Sequence, residues 1–395
     1  MATTIDMSDL ILNKRKNVGI YIHVPFCLSK CHYCDFCSVQ RADDEKKELY
    51  VKRLCEEIEL FAAKIGESGE LPTADTVYFG GGTPTLLSAE QIGRILDVVN
   101  AQFGISDGAE ITAETNPKTA DENKLSDIRK AGVNRLSIGM QSIHDSELRL
   151  LGRIHGSGDF LVTYGAARRV GFDNISVDLM YGIPNQTRET FQKSVKELAM
   201  LAPEHISSYS LTVEEGTNFY RRRNSLDLPD EDTVGDMYAD MEEMLAIYGY
   251  HKYEISNFSR EGKESRHNLK YWRREDYLGF GSAAHSCFDN VRFAHSRDVD
   301  AYIDGKSTII EVEKIGAREA MDEYAMLGMR LSEGVDFERF YSRFGKRFAE
   351  VFPAFSKYAP EFVEIDDGGC RFTQKGMLVS NAILSEALNL DGYGD

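Results

Sequence analysis

The chain has 395 residues, 42% hydrophobic and 28% charged, enough for one large domain with a smaller one beside it. A formal net charge of −18 and a pI near 5.0 argue against a general nucleic-acid binder, which needs a basic footprint to neutralise phosphates. No apolar run approaches the ~20 residues of a membrane span, and Met1 to Asn17 lacks the apolar core of a signal peptide. The expected compartment is therefore the cytosol, where thiols stay reduced.

After an N-terminal extension (1–17), Val18 to Val24 reads as a buried strand, β-branched and apolar, with Tyr21 and His23 interleaved. It runs into a loop holding four of the seven cysteines. Cys27, Cys31 and Cys34 form a C-x3-C-x2-C spacing, and Cys37 adds one more C-x2-C step. Three thiolates on one tight loop can hold three irons of a 4Fe–4S cluster and leave the fourth iron open to a chelating molecule. Four thiolates could instead make a tetrahedral zinc site, although zinc knuckles usually come from separate parts of a chain. A disulfide framework fits poorly with a long chain of this type. Ligation by Cys37 would close the open iron and make an electron carrier.

Ala42 to Ile65 reads as an amphipathic helix with Tyr50, Leu54, Ile58 and Phe61 on one stripe and Cys55 packed beside it. Thr76 to Phe79 is a strand, followed by Gly80-Gly81-Gly82-Thr83-Pro84. Ser88 and Gln91 form a capping box for the next helix. Strands are expected at Glu110–Thr115, Asn134–Gly139, Ile175–Met180 and Ile206–Thr212, with helices at Glu122–Ala131, Ser146–Ile154, Asp159–Val170 and Thr190–Leu201 between them. Such alternation argues for a parallel sheet with helices outside, either doubly wound or a partly closed barrel. In both, ligands gather at the carboxyl ends of the strands. Gly81, Gly82, Glu114 and Gln141 all fall there.

From Gly249 the alternation fails. His251 to Phe258 reads as a strand, followed by Arg266-His267-Asn268-Leu269-Lys270-Tyr271-Trp272 and a Gly-rich run from Tyr277 to Ser286. The first domain is taken as 18–305 and a second as 306–395. The second comprises helices at Glu319–Leu331 and Phe337–Phe344, a hairpin at Phe362–Thr373 turning on Asp366 to Gly369, and a last helix from Gln374 to Leu388. This order is winged-helix-like.

The cysteine loop, with Tyr33 before its third cysteine, resembles that of the radical S-adenosylmethionine (SAM) superfamily. Tyr-Ile-His-Val-Pro-Phe-Cys and Tyr-Cys-Asp-Phe are similar to the oxygen-independent coproporphyrinogen III oxidase family. The resemblance implies an α/β fold, a partial (β/α)6 TIM-like barrel with a small C-terminal α+β domain. It also implies a 4Fe–4S cluster on Cys27, Cys31 and Cys34, and SAM that is cleaved reductively at its C5′–S bond. Matched residue by residue, Gly81, Gly82 and Thr83 would take the amino and carboxylate groups of SAM, and Glu114 its ribose hydroxyls. Gln141, Arg153 and Asp178 match further SAM-site positions, Arg153 suiting the carboxylate through its planar fork. Tyr21 matches a tyrosine lying against the cofactor. No catalytic residue is assigned.

Three features favour the haem-chaperone (HemW-type) branch over the oxidase itself. The first strand begins at Val18, which leaves no room for the oxidase's longer N-terminal extension. The oxidase pattern C-x2-C-x-C is replaced by Asp35-Phe36-Cys37. His267-Asn268-Leu269-Lys270-Tyr271-Trp272 matches an H-N-x-x-Y-W motif of that branch. His267, Tyr271 and Trp272 are thus candidate haem contacts, with His267 the first candidate ligand and His23, His285 and Cys287 behind it. Cys370 reads as structural. The branch implies a cytoplasmic protein that binds haem or a porphyrin as cargo and delivers it to an accepting protein. It also implies an electron donor, no nucleic acid, no transmembrane segment, and peripheral contact with membrane haem proteins. The alternatives are oxidative decarboxylation of coproporphyrinogen III, and a radical SAM enzyme that modifies RNA, for which a basic groove would be needed.

Overall fold

The computed structural model describes residues 17–67, 69–306 and 309–388. Residues 1–16 of the N-terminal extension lie outside them, as do Ser307 and Thr308 at the expected boundary between the two domains.

Six strands follow one another in sequence and in space. They are β1 (Asn17–Val24), β2 (Thr73–Gly81), β3 (Ile105–Thr115), β4 (Arg135–Gln141), β5 (Ile175–Tyr181) and β6 (His205–Ser210). Each neighbouring pair is parallel. The helices between them include α1 (Asp44–Gly66), α2 (Ala89–Phe103), α3 (Glu122–Lys130), α4 (Asp145–Leu150), α5 (Ser157–Arg169) and α6 (Arg188–Met200). Local chemistry sets their starts. Asp43 caps α1 by accepting from the Lys46 amide, and Ser88 and Gln91 close the expected capping box on α2. This is the partial (β/α)6 barrel that the resemblance implied.

Strand β4 shows how the barrel sorts its side chains. Leu136, Ile138 and Met140 point outward and are fully buried beneath the helices. Arg135, Ser137, Gly139 and Gln141, two residues apart, all line an interior cavity. A parallel strand covered on its outer face needs an apolar outer row. Its inner row is free to be polar, and that polar row is where a ligand fits.

Three departures from the sequence reading concern the barrel's edges. Helix α7 (Glu231–Ile247), capped by Asp230, packs against α6 and had no clear counterpart in the alternation. The run His251–Phe258 is not one strand: β7 (His251–Glu254) and β8 (Asn257–Ser259) pair antiparallel and extend the sheet beyond β6. The Gly-rich run forms β9 (Tyr277–Phe280), parallel to β1 on its other side, and β10 (His285–Phe288). Glycine belongs in β9 because a Cβ at Gly279 would sit 2.2 Å from the His285 carbonyl. β11 (Val291–His295) and β12 (Ile309–Lys314) complete the sheet, ordered β12-β11-β10-β9-β1-β2-β3-β4-β5-β6-β8-β7.

A second apolar core gathers Ala325, Phe340, Phe348, Phe355, Val363 and Ile383. It is built by α8 (Ala317–Gly328), α9 (Phe337–Phe344) and a three-stranded sheet of β13 (Val335–Asp336), β14 (Val363–Ile365) and β15 (Gly369–Phe372). The hairpin turn falls at the expected place, where Asp366 Oδ1 accepts from the amides of Gly368 and Gly369. The terminal helix breaks at Val379 into Gln374–Leu378 and Ser380–Leu388. Arg274 and Arg292 both pair with Glu323, joining this unit to the barrel's edge. Among the described residues no helix is long and apolar enough to cross a membrane.

Candidate functional site

The cysteine loop is closed at its base by parallel pairing of Phe26 with Val39 and Cys27 with Gln40. It is held at its tip by His32, whose ring bonds the Leu150 carbonyl (2.9 Å) and whose amide bonds that of Leu151 (2.9 Å). Asp35 pairs with Arg297, and Tyr33 packs against a small cluster of Leu151, Met180, Ile183 and Phe219. Cys27, Cys31 and Cys34 line a cavity of about 530 Å³ that fills the carboxyl end of the barrel; Cys37 does not. The Cys37 thiol donates instead to the Arg297 carbonyl, 3.2 Å away. None of the seven cysteines is in a disulfide. Among the described residues no three Cys, His, Asp or Glu side chains converge on a single-ion site.

The adjoining wall is the turn after β2. Gly82 donates to the Val24 carbonyl (2.9 Å), and a Cβ there would meet the Phe26 carbonyl at 2.6 Å. Gly81 has φ +108 and would drive a Cβ into the His23 ring. Both line the cavity, as does Thr83, whose hydroxyl accepts from Asn116 (2.8 Å) and lies 3.8 Å from Cys27 Sγ. Both glycines are thus required by their packing against β1 and the start of the cysteine loop.

Glu114, Gln141, Arg153 and Asp178 all reach the same cavity. Glu114 accepts from the Tyr78 hydroxyl (2.9 Å) and the Gly81 amide (3.1 Å). Burial, with Asp178 nearby, nevertheless pushes its carboxyl up to about 8. Asp178 accepts from Ser137 (3.0 Å), and burial raises its pKa as well. Arg153 donates to the Gly139 carbonyl (2.8 Å), to Asn116 Oδ1 and to Cys31 Sγ (3.4 Å), so it ties the cluster loop to β4. Gln141 sits at φ +68, a strained setting for a non-glycine residue, just after a register shift in β4.

Four expected site residues lie apart from this group. Tyr21 does not line the cavity; its hydroxyl bonds His23 Nδ1 (3.0 Å) and its ring stacks on Tyr78, which takes the cavity face instead. His267, Tyr271 and Trp272 belong to a short helix, Arg266–Trp272, that plugs the barrel from below. Glu110 receives the amides of Arg266 and His267 at its start. His267 is 1% exposed, with Nδ1 on Thr76 (2.8 Å) and Nε2 on Tyr271 (2.8 Å). Neither nitrogen is free for an iron, which corrects its place as first candidate ligand. Of the others, His23 bonds Tyr21 and the Cys37 carbonyl, Cys287 is buried, and His285 is exposed. Within the motif it is Asn268 that lines the cavity. Sequence reasoning also passed over Tyr78, Asn116, Arg135 and Ser137. The two-residue spacing from Arg135 to Gln141 was the signal available for two of them.

The Radical SAM superfamily matches residues 21–198 and the HemN C-terminal domain matches residues 315–379. "Heme chaperone HemW" of Bacillus subtilis is 36% identical over 377 residues, covering 93% of this chain and 98% of that protein. The chain belongs to the HemW family. "Heme chaperone HemW" of Escherichia coli is 37% identical over 268 residues (68% of this chain, 69% of that protein). "Radical S-adenosyl methionine domain-containing protein 1, mitochondrial" of Danio rerio is 31% identical over 407 residues (96% and 89%). Among solved structures, coproporphyrinogen III oxidase (HemN) of Escherichia coli shares the fold, with a TM-score of 0.80 at 24% identity over 94% of this chain and 89% of that one.

Radical SAM membership implies a 4Fe–4S cluster and SAM, and the donor set fits both. Three unbridged thiols face one cavity. Beside them Gly81, Gly82 and Thr83 line the same cavity. Two half-buried carboxylates, Glu114 and Asp178, and Arg153 line the same cavity.

Proposed function

We propose that the chain is a cytosolic haem-binding protein that carries a 4Fe–4S cluster and SAM and passes haem to an accepting protein. The observation that carries the reading is the nearly end-to-end likeness to a protein named a haem chaperone, 98% of whose length is covered. Cys27, Cys31 and Cys34 hold the cluster, and the cavity beside them takes SAM. The backbone at Gly81, Gly82 and Thr83 takes its amino and carboxylate groups, and Glu114 its ribose. Bound there, the pair supplies one-electron chemistry. This chain's residues bind, orient and exclude water. Arg153 holds Cys31 and β4 in one arrangement.

A deletion strain grown without oxygen tests the reading. Total haem should stay near normal while haem enzymes accumulate in their haem-free forms. Accumulation of coproporphyrin with a fall in total haem would instead make the chain an oxidase.

A further inference from the structure

Two of the three cavity thiols have a side-chain donor beside them. Thr83 Oγ1 lies 3.8 Å from Cys27 Sγ, and Arg153 donates to Cys31 Sγ over 3.4 Å. Thr83 comes from the turn after β2 and Arg153 from the loop after α4, yet one side chain touches both. The carboxamide of Asn116 donates through Nδ2 to Thr83 Oγ1 (2.8 Å) and accepts at Oδ1 from the Arg153 guanidinium. Arg153 decides which way that carboxamide faces. A guanidinium offers donors and no acceptor, so the oxygen of Asn116 must face Arg153 and its NH2 must face Thr83. Thr83 then accepts on its oxygen, which leaves its one proton to point at the Cys27 sulfur. A single planar group thus directs a donor to each of two thiols.

The surroundings hold Asn116 in that place. Its carbonyl accepts from the hydroxyl (2.6 Å) and the amide (3.1 Å) of Thr119, and its own amide donates to the Thr119 hydroxyl (3.3 Å). Strand β4 makes room for the pairing. Gly139 is buried on the inner row of that strand, and its backbone lies outside the left-handed region, so glycine is needed there for space. A Cβ at 139 would lie 2.8 Å from Asn116 Oδ1, 3.0 Å from Gln141 Nε2 and 3.1 Å from Arg153 Nη2. Each of these atoms is the end of a flexible side chain. A methyl group at 139 would therefore push Asn116 and Arg153 apart before it disturbed the strand.

We propose that Asn116 is a positioning residue for the cluster, aiming Thr83 at Cys27 and Arg153 at Cys31 so that the reduced cluster is favoured. This rests on the three-cysteine cluster reading above and adds how the cluster's electron affinity is set. A donor on a ligating sulfur offsets part of the charge that arrives with an electron, which raises the reduction potential. Asn116 acts through Thr83 and Arg153 rather than on the sulfurs themselves.

The test is an EPR-monitored redox titration of the anaerobically reconstituted full chain, without SAM, using dithionite and mediator dyes. At the wild-type midpoint, N116L should lower the ratio of reduced to oxidised cluster by roughly threefold to tenfold, tenfold being about 59 mV for a one-electron couple. G139A should shift the ratio in the same direction, because it separates Asn116 from Arg153 while removing no donor. The assignment can therefore be read even if N116L fails to fold. T83V should reproduce part of the N116L shift, and the double variant should fall short of the sum, as groups acting in one chain do. A merely structural Asn116 would lower cluster content or melting temperature while the folded, loaded variants keep the wild-type midpoint, which overturns the assignment. So do strictly additive T83V and N116L shifts. A wild type that reconstitutes without a 4Fe–4S signal overturns the cluster reading itself.

Discussion

Cys37 is bonded through its thiol to the main-chain carbonyl of Arg297 at 3.2 Å, while the Arg297 side chain pairs with Asp35 two residues before it. The fourth cysteine of the loop is therefore engaged with the β11 side of the barrel, and the cavity sees three thiols. C37S should retain a full cluster after anaerobic reconstitution, with iron and sulfide content equal to wild type. Serine at Cys27, Cys31 or Cys34 should lose it. A C37S protein without cluster would show that all four thiols are ligands.

Glycine at position 82 is required by space, and at 158 by nothing visible. A Cβ on Gly82 would lie within 3 Å of the Phe26 backbone, immediately before Cys27, whereas one on Gly158 meets no atom within 4 Å. G82A should destabilise by about 1–3 kcal/mol, the usual range for overpacking, and should lower SAM affinity in equilibrium dialysis. G158A, inside α5, should be neutral or stabilise by up to ~1 kcal/mol. Equal effects at the two sites would remove the argument for close backbone approach.

The buried titratable groups give the apo protein a defined pH response. Glu114 titrates near 8 and Glu254 near 7, both raised mainly by burial. The native state therefore holds protons on them that the unfolded chain has released, and their stabilising effect fades as pH rises to 8. His23 and His155 titrate near 4 and His267 near 3, lowered mainly by burial, so they destabilise the native state as pH falls below about 6.5. Unfolded histidines are still half protonated at pH 6.5, so these groups oppose the carboxyls up to about pH 7.5, and the Glu114 contribution is read as a difference. Between pH 6.5 and 8 wild type should lose roughly 2 kcal/mol relative to E114Q in urea melts. Parallel profiles for the two proteins would contradict a buried, proton-holding Glu114.

His267 joins Thr76 on β2 to Tyr271 on its own helix. Removing it leaves two buried hydroxyls short of a partner, at about 1–3 kcal/mol. H267A should therefore lose stability while the visible spectrum of bound haem stays unchanged. A changed Soret band in a folded H267A would return the histidine to the iron.

Much of this was legible in the sequence because it rests on local rules. The capping box at Ser88, the strand-and-helix alternation and the cysteine spacing each follow from neighbouring residues. Ten of the fourteen residues assigned to the cluster, SAM or haem reach one cavity. What sequence reading missed depends on contacts between distant segments. β9 hides behind glycines needed only because β10 passes so close. His267 reads as a ligand until Thr76, Tyr271 and Glu110 close around it. Arg135 looks like a surface arginine at a strand start. Only the closure of the barrel shows that it is buried and lines the cavity.

The most direct test is to load the purified protein with its cluster and SAM, then follow two quantities in one experiment. Haem uptake is read by the Soret band, and coproporphyrinogen III turnover is read in the presence of a reductant. Uptake of one haem per chain with no decarboxylation is the predicted result. Turnover to protoporphyrinogen IX without haem uptake would contradict the account.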